Sequence, residues 1–216
     1  MENLDLKPDS QLEEIQLPIY DSEIWHYGGN QYWFPKKLHQ LSGCGPVAAA
    51  NITAYLSQAF PDRFKTLYAH EGKLNRSDFV EHMIDVRKYV IPGIRGLTSV
   101  HQFVDNTIAF ARDRGVVLNP YILDDENANI QDAVYYITEA LRKRLPVAIL
   151  ILTHPVKELE DYVWHWMTIT HLRFNNIENT YYITASTYGE RKEINLELLW
   201  NHRRPDKDVI KLAYFC

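Results

Sequence analysis

Cys44 has the neighbours expected of a reactive thiol. It stands in the stretch QLSGCGPVAAA between Gly43 and Gly45, and Pro46 and an apolar run follow it. This pattern predicts a helix that begins here, where unpaired backbone N–H groups and the positive end of the helix dipole stabilise an anion. Such a position lowers the pKa of a thiol and favours the thiolate, which is the nucleophile. The two glycines are expected to leave room for a substrate carbonyl to reach the sulfur.

A thiolate nucleophile also needs a base, and His165 is the best placed of the nine histidines. It lies inside a predicted strand between Trp164 and Trp166, and a rigid strand positions a catalytic imidazole better than a loop does. The two tryptophans are predicted to line the cleft and contact the substrate. The alternative interpretation is structural, with Cys44 as a small buried residue and His165 as a core histidine bonded to a backbone carbonyl.

The spacing of apolar residues predicts the elements that carry these side chains. Apolar residues at helical spacing predict four helices. They cover residues 46–58, a segment capped by Ser77, a segment from Thr98 or Ser99 to Gly115, and a segment from Ile130 to Pro146. Strands are predicted at 147–152, 163–174, 180–186 and 209–215, and a short helix capped by Asn195 precedes the last strand. The two middle strands read as a hairpin. Helices followed by an antiparallel sheet indicate the α+β fold class.

The first 36 residues show no regular apolar period. They contain several prolines and aromatic residues, and aromatic residues are rare in disordered tails. We therefore expect residues 1–36 to be an irregular N-terminal extension that packs on a single domain formed by residues 37–216.

Composition argues against several functional classes. With a formal net charge of −5 the chain lacks the basic field that nucleic acids and anionic membranes require, so neither is an expected partner. The longest fully apolar run is far shorter than a membrane span, and the acidic N-terminus does not look like a secretion signal, which predicts a cytoplasmic protein. Cys44 and Cys216 are the only cysteines and lie far apart, so no zinc site, other metal or cofactor is expected.

Taken in order, the motifs of this sequence resemble those of the papain-like cysteine peptidases, specifically the C39-like branch. The matching pieces are QLSGCGPVAAA, LRKRLPVAILIL, WHWMTITHLRF and NTYYITASTYGERKEINLELLW, which together span roughly residues 36–202. The resemblance implies a papain-like cysteine protease fold. In that fold an N-terminal helical lobe carries the cysteine and a C-terminal antiparallel β-sheet carries the histidine.

The resemblance also implies roles for particular residues. Cys44 corresponds to the nucleophile, His165 to the general base and acid, and Gln40 to the glutamine that helps line the oxyanion hole. Gln31 or a backbone amide is the alternative to Gln40. The third residue, usually Asp or Asn, falls on Ser186, whose hydroxyl can hold an imidazole tautomer but supplies no charge. The alternatives to Ser186 lie in the preceding loop and are Asn175, Asn176 and Asn179.

These assignments predict a cysteine-dependent hydrolase that acts on an amide or peptide bond through a thioester intermediate. The same chemistry fits a thiol acyltransferase, because specificity lies in the shape of the cleft. The serine at position 186 favours another alternative, a catalytically impaired papain-like scaffold that binds a peptide or partner. A helical interaction domain without a site would leave the Gly-Cys-Gly-Pro stretch unexplained. The expected partner is a peptide or another acyl or amide substrate, and the sequence does not predict the oligomeric state.

Overall fold

Most helices lie in the first two thirds of the chain and most strands in the last third. The computed structural model describes residues 12–204 and 207–216. Their α-helices are α1 (Lys37–Leu41), α2 (Cys44–Ala59), α3 (Pro61–Phe64), α4 (Arg76–Arg87), α5 (Val100–Arg112), α6 (Ile130–Arg142) and α7 (Leu196–Asn201). Short 3₁₀ helices occupy Gln31–Trp33, Lys65–Leu67 and Lys157–Tyr162. None of the helices in these ranges is both long and apolar enough to cross a bilayer.

The strands form two antiparallel sheets. They are β1 (Pro18–Asp21), β2 (Ile24–Tyr27), β3 (Pro120–Leu123), β4 (Val147–Ile151), β5 (His165–Asn175), β6 (Thr180–Thr187), β7 (Glu190–Asn195) and β8 (Ile210–Phe215). Strands β1 and β2 pair with each other, and the other six form one sheet in the order β3-β8-β4-β5-β6-β7. A helical region with one six-stranded antiparallel sheet confirms the predicted α+β class.

Strands β3 and β7, at the two edges of the large sheet, were absent from the predicted set. The sequence of β7 is ERKEIN, and its first four side chains are exposed. An edge strand of this kind has no apolar alternation that a sequence pattern could detect. Strand β3 is only four residues long, and its first two side chains are exposed.

Helix α2 is the central helix and carries Cys44 as its first residue. Almost every side chain beyond the first turn is buried, and the helix packs against β5 and α4. Small side chains at Ala48, Ala49, Ala50 and Ala54 allow these neighbours to approach on several sides at once. The predicted helix at 46–58 is thus confirmed, and Cys44 is held by an element that is packed from several directions.

The other predicted helices are present, with one change of cap. Ser99 caps α5 and Asn195 caps α7, as the sequence predicts. Helix α4 is capped by Asn75 instead of Ser77, because the Asn75 side chain accepts a hydrogen bond from the backbone N–H of Asp78. The hydroxyl of Ser77 donates to the same Asn75 oxygen at 2.7 Å.

Residues 12–36 are more regular than the predicted extension, and residues 1–11 lie outside the described part of the chain. The hairpin β1–β2 is followed by the 3₁₀ helix Gln31–Trp33. The backbone N–H of Ile15 donates to the Thr170 carbonyl at 3.0 Å, and that of Tyr27 donates to the Gly189 carbonyl at 2.8 Å. This N-terminal segment therefore lies along β5 and reaches the turn after β6.

Candidate active site

Cys44 and His165, far apart in sequence, line one narrow cavity. One face of α2 forms one wall, the start of β5 a second, and the end of β6 with its following turn a third. The N-terminal segment completes the enclosure with Gly29 and Gln31. Cys44 also lines an open groove on its other side, so its sulfur lies where the inner cavity meets the surface.

Cys44 begins α2, as predicted, but its thiol is not acidic. The side chain is partly exposed. Burial raises the pKa of the thiol, and the backbone N–H groups of Trp166, Gly45 and Cys44 itself, which point at the sulfur, offset this rise only in part. The predicted lowering of the thiol pKa is therefore wrong, because desolvation of the anion outweighs the helix N-terminus.

His165 is the first residue of β5 and is buried, with 4% of its surface exposed. Its Nε2 atom lies 2.7 Å from the Thr187 hydroxyl oxygen. Burial lowers the pKa of His165 to about 4, because the apolar surroundings disfavour the imidazolium. The imidazole is consequently neutral at pH 7.

The structure brings Thr187, not Ser186, against the His165 ring. The Ser186 hydroxyl donates to the backbone carbonyl of Tyr27 at 2.6 Å and accepts from the Asn51 amide at 3.3 Å. Neighbouring strand residues point to opposite faces, and a bulge in β5 moves the pairing by one position, so Thr187 shares the face of His165. Ser186 still lines the cavity, but its hydroxyl is used to hold the N-terminal segment.

The asparagines that were the alternatives to Ser186 lie at the far end of the hairpin. Asn175 ends β5, ten residues beyond His165, which corresponds to about 33 Å along an extended strand. The side chain of Asn175 accepts hydrogen bonds from the backbone N–H groups of Ile177 and Glu178 and so stabilises the loop. Asn176 and Asn179 belong to the same loop and are exposed.

Tyr188, which the sequence analysis did not single out, stacks on the His165 ring with centroids 4.6 Å apart and planes 12° apart. The Tyr32 ring in turn stacks on the Tyr188 ring, with centroids 5.7 Å apart. Tyr188 has a φ of 52° and forms, with Gly189, the two-residue turn between β6 and β7. The Asn30 amide donates to the Tyr188 carbonyl at 2.7 Å. The left-handed backbone at Tyr188 thus aims an aromatic ring at the histidine.

Gln40 and Gln31 have roles different from the one predicted for Gln40. The Gln40 amide donates to the backbone carbonyls of Tyr32 and Phe34, at 3.1 and 2.8 Å, and so ties α1 to the N-terminal segment. Gln31 lines the cavity with Cys44. Its Nε2 donates to the Gln40 carbonyl at 2.7 Å, while its buried Oε1 has no partner among the described residues. Gln31, named above as the alternative, is the glutamine close to the cysteine.

Close packing requires glycine at both position 43 and position 45. A Cβ at position 43 would lie 2.6 Å from the His39 carbonyl oxygen and 2.8 Å from the Phe34 ring. A Cβ at position 45 would lie 2.9 Å from the Leu97 side chain. Packing thus explains why both positions lack a side chain, and the role of these glycines in admitting a substrate carbonyl stays a prediction.

The two tryptophans beside His165 have different environments. Trp166 is buried, donates its indole N–H to the Leu97 carbonyl at 2.7 Å and stacks on Phe103 at 4.3 Å. It belongs to the core and also lines the inner cavity. Trp164 has a φ of 54°, is more than half exposed and lines the open groove that also contains Cys44. Only Trp164 is positioned to contact a ligand in that groove.

A buried polar group, Asn51, lies on the same face of α2 as Cys44, about two helical turns further along. Its Oδ1 accepts from the Gly29 backbone N–H at 2.8 Å, and its Nδ2 donates to the hydroxyls of Thr168 and Ser186 at 3.3 Å each. The amide therefore joins α2, β5, β6 and the N-terminal segment beneath the cavity. Its position seven residues after Cys44, on an otherwise apolar helix face, was a sequence signal for this role.

Within residues 12–204 and 207–216, no three His, Cys, Asp or Glu side chains come together in a way that would hold a metal ion. The described residues that line the cavity carry a thiol, a neutral imidazole, the amides of Gln31 and Asn51, and the hydroxyls of Thr168, Ser186, Thr187 and Tyr188. Comparison of the chain with family models, with curated proteins and with solved structures found no match.

Proposed function

We propose that the protein is a cysteine-dependent hydrolase of the papain-like type, which cleaves an amide or peptide bond through a thioester at Cys44. The observation that carries the proposal is the cavity shared by Cys44 and His165, with the Thr187 hydroxyl against the histidine Nε2. Cysteine, histidine and a third polar residue follow one another along the chain in the order found in the papain-like enzymes that it resembles.

In the proposed reaction His165 acts first as a base. When Nε2–H donates to the Thr187 oxygen, the Nδ1 atom has a free lone pair. The Cys44 sulfur attacks the substrate carbonyl carbon while Nδ1 takes the thiol proton. The imidazolium then protonates the leaving amine nitrogen as the carbon–nitrogen bond breaks. Water, activated by the same base, attacks the thioester, which releases the acid and restores the thiol.

Gln31 and the backbone of Cys44 are proposed to stabilise the oxyanion. The Cys44 N–H lies at the start of α2, where no helical partner uses it. One N–H of the Gln31 amide donates to the Gln40 carbonyl, which leaves the second N–H available in the cavity. Loss of one such donor typically lowers kcat by about a hundredfold to a thousandfold. The unpartnered Oε1 of Gln31 would accept a substrate N–H.

The proposed site begins its reaction from uncharged groups. Burial raises the pKa of Cys44 and lowers that of His165 to about 4, so both are neutral at pH 7. A hydroxyl at the third position supports this state, because Thr187 adds no negative charge that would stabilise an imidazolium. Proton transfer would therefore accompany the attack of sulfur instead of preceding it.

An activated ester tests the proposal without knowledge of the natural substrate. The protein is mixed with 4-nitrophenyl acetate at pH 7, nitrophenol release is followed, and peptide mass spectrometry locates the acetyl group. We expect rapid acetylation at Cys44 that is lost in Cys44→Ala and slowed by at least a hundredfold in His165→Gln. The variant Cys216→Ala, which removes the other thiol, should react like the parent protein. Equal acetylation of Cys44 and Cys216 would contradict the proposal.

A catalytically impaired, peptide-binding scaffold is the second candidate. The observation that favours it is the chemistry of the cavity: the described residues that line it include no Asp or Glu, and the side chain bonded to His165 is a threonine. This candidate predicts that Cys44 is acetylated no faster than a free thiol, and that peptides bind in the groove without being cleaved. The acetylation experiment separates the two functions.

A further inference from the structure

An open groove of about 790 Å³ extends from Cys44 along the protein surface. Helix α1 forms one wall and the loop at 92–98 forms another. The groove contains Cys44 but not His165, which lines only the inner cavity. A ligand lying in the groove would thus reach Cys44 from outside the inner cavity that His165 lines.

Four of the large apolar side chains that are exposed to solvent line the groove. Leu38 and Leu41 project from α1, Ile94 from the loop, and Trp164 from the residue before β5. Each is more than half exposed. Large apolar side chains that converge on one concave surface beside a reactive group mark a surface that a ligand covers.

Two arginines in the same groove have no acidic partner among the described residues. Arg87, at the end of α4, donates to the Ser42 hydroxyl at 3.3 Å, and its buried Nε atom bonds to none of these residues. Neither Arg87 nor Arg95 forms an ion pair within 12–204 and 207–216, and the residues of these ranges that line the groove include no Asp or Glu. Burial lowers the pKa of Arg87, because no counter-ion offsets its desolvation. In a chain of net charge −5, this is a local excess of positive charge.

Backbone hydrogen bonds close the loop that carries Arg95. Gly93 and Gly96 exchange two backbone hydrogen bonds of 3.0 Å, so Ile94 and Arg95 form the tip of a tight turn. The base of the loop is fixed where the Leu97 carbonyl accepts the indole N–H of Trp166. Arg95 is therefore presented beside the groove by a pre-organised backbone, which reduces the entropy cost of using it in binding.

We propose that this groove binds an acidic, apolar stretch of polypeptide, with its large apolar side chains on the Leu38, Ile94 and Trp164 surfaces and a glutamate or aspartate carboxylate on Arg87 and Arg95. A guanidinium is a planar fork of donors that matches a carboxylate, and an apolar surround strengthens the pairing. The choice of a peptide as occupant rests on the proposed function, in which Cys44 attacks an amide carbonyl. The charge preference itself rests on the groove alone.

Binding to a variant that cannot turn over tests the inference directly. The background is Cys44→Ala. The probes are fluorescein-labelled, acetylated hexapeptides of Leu, Phe and Ala that carry one glutamate at each position in turn, and a matched set with glutamine in its place. Anisotropy titrations at low ionic strength give the dissociation constants. We expect the best glutamate peptide to bind at least tenfold more tightly than its glutamine partner.

Two substitutions and one control connect that preference to the groove. Arg95→Gln changes an exposed loop tip, and Arg87→Lys keeps the charge but loses the fork, so both variants should fold. Each is expected to reduce the glutamate preference at least threefold. Arg112→Gln makes the same charge change at an exposed position outside the groove and should leave the preference unchanged. An equal effect of Arg112→Gln would show a general charge effect and overturn the inference.

The peptide-binding experiment and the acetylation experiment can fail separately. If Cys44 is acetylated but the groove shows no preference for glutamate peptides, the proposed hydrolase is supported and the proposed acidic-peptide site is contradicted. If the groove prefers glutamate peptides but Cys44 is not acetylated, the acidic-peptide site is supported and the proposed hydrolase is contradicted. Equal binding of the two peptide sets, or no measurable binding of either, would overturn the inference.

Discussion

The Nε2 atom of His165 lies 2.7 Å from the hydroxyl oxygen of Thr187, across two neighbouring strands of the central sheet. The contact is diagonal. Thr187 lies on the same face of the sheet as His165, but two residues before position 189, which the strand register would set directly opposite His165. A side-chain hydroxyl in this place fixes the rotation of the ring and one tautomer without adding charge. The relationship makes Thr187 the third residue of the proposed site.

Replacement of Thr187 by valine should reveal its contribution, because valine keeps the shape of the side chain and removes the hydroxyl. We expect Thr187→Val to slow acetylation of Cys44 at pH 7 about tenfold, which corresponds to the loss of one neutral hydrogen bond. Thr187→Asn, which restores a hydrogen-bonding group, should recover part of the rate. The measurement is nitrophenol release under single-turnover conditions.

The neighbouring serine supplies a matched control for that prediction. Ser186→Ala removes a hydroxyl that holds Tyr27 and Asn51, so it should lower the free energy of unfolding by about 1–3 kcal/mol while the acetylation rate changes little. If Ser186→Ala slowed the reaction and Thr187→Val did not, the assignment of the third residue would be reversed.

The displacement of the third residue from Ser186 to Thr187 has a specific cause in strand register. At the loop end of the hairpin, His171 faces Thr184. An unbroken continuation of that register would set Ile169 opposite Ser186, on the face of His165. The bulge between Ile169 and His171 instead pairs Ile169 with Ala185. A single extra residue therefore exchanges the two faces, and nothing in the apolar pattern marks it.

Features that depend on local signals were predictable from the sequence, and those that depend on the path of the chain were not. The start of α2 at Cys44 follows from glycine, proline and helical spacing, and β5 follows from its apolar content. Gln31 replaces Gln40 at the cavity because the N-terminal segment folds back over the sheet. That return depends on backbone hydrogen bonds between distant residues, which spacing along the sequence does not encode.

The pH dependence of alkylation should show whether Cys44 is a neutral thiol or a thiolate at neutral pH. Because burial raises the pKa of Cys44, the rate of its reaction with iodoacetamide should reach half its maximum above about pH 8.5, the ordinary midpoint of a thiol. No inflection is expected between pH 5 and 8, because His165 is neutral throughout that range. Mass spectrometry of the Cys44 peptide gives the rate at each pH. A plateau that begins below pH 7 would instead indicate a thiolate paired with an imidazolium.

Asn51 should be one of the most sensitive positions for stability. Asn51→Leu keeps the branching of the side chain but leaves the Gly29 N–H and two buried hydroxyls without their partner, so we expect the free energy of unfolding to fall by about 2–4 kcal/mol. Asn176→Leu makes the same change in the exposed hairpin loop and should alter stability by less than about 0.5 kcal/mol. Urea denaturation measures both. Similar values for the two variants would show that the Asn51 network contributes nothing.

Buried neutral histidines should make the fold sensitive to mild acid. In the unfolded chain the His165 imidazole binds a proton near pH 6.5, whereas in the folded protein it does so only near pH 4. As the pH falls from about 6.5 to 4, protons therefore bind the unfolded chain preferentially, and stability is lost in that window. The difference of pKa corresponds to at most roughly 3 kcal/mol. His82, whose pKa burial lowers to about 3, adds a loss of the same sign.

The variant His165→Gln isolates the contribution of the site histidine to this acid sensitivity. Urea denaturation at pH 7 and at pH 4.5 gives the change in unfolding free energy for each protein. We expect His165→Gln to reduce that change by about 2 kcal/mol, because one buried titrating group is gone. The remaining acid sensitivity should come from other groups whose pKa the fold lowers, among them His82 and His154. An unchanged pH dependence in His165→Gln would mean that the folded site accepts a proton near pH 6.5, in conflict with the buried, neutral imidazole from which the proposed reaction begins.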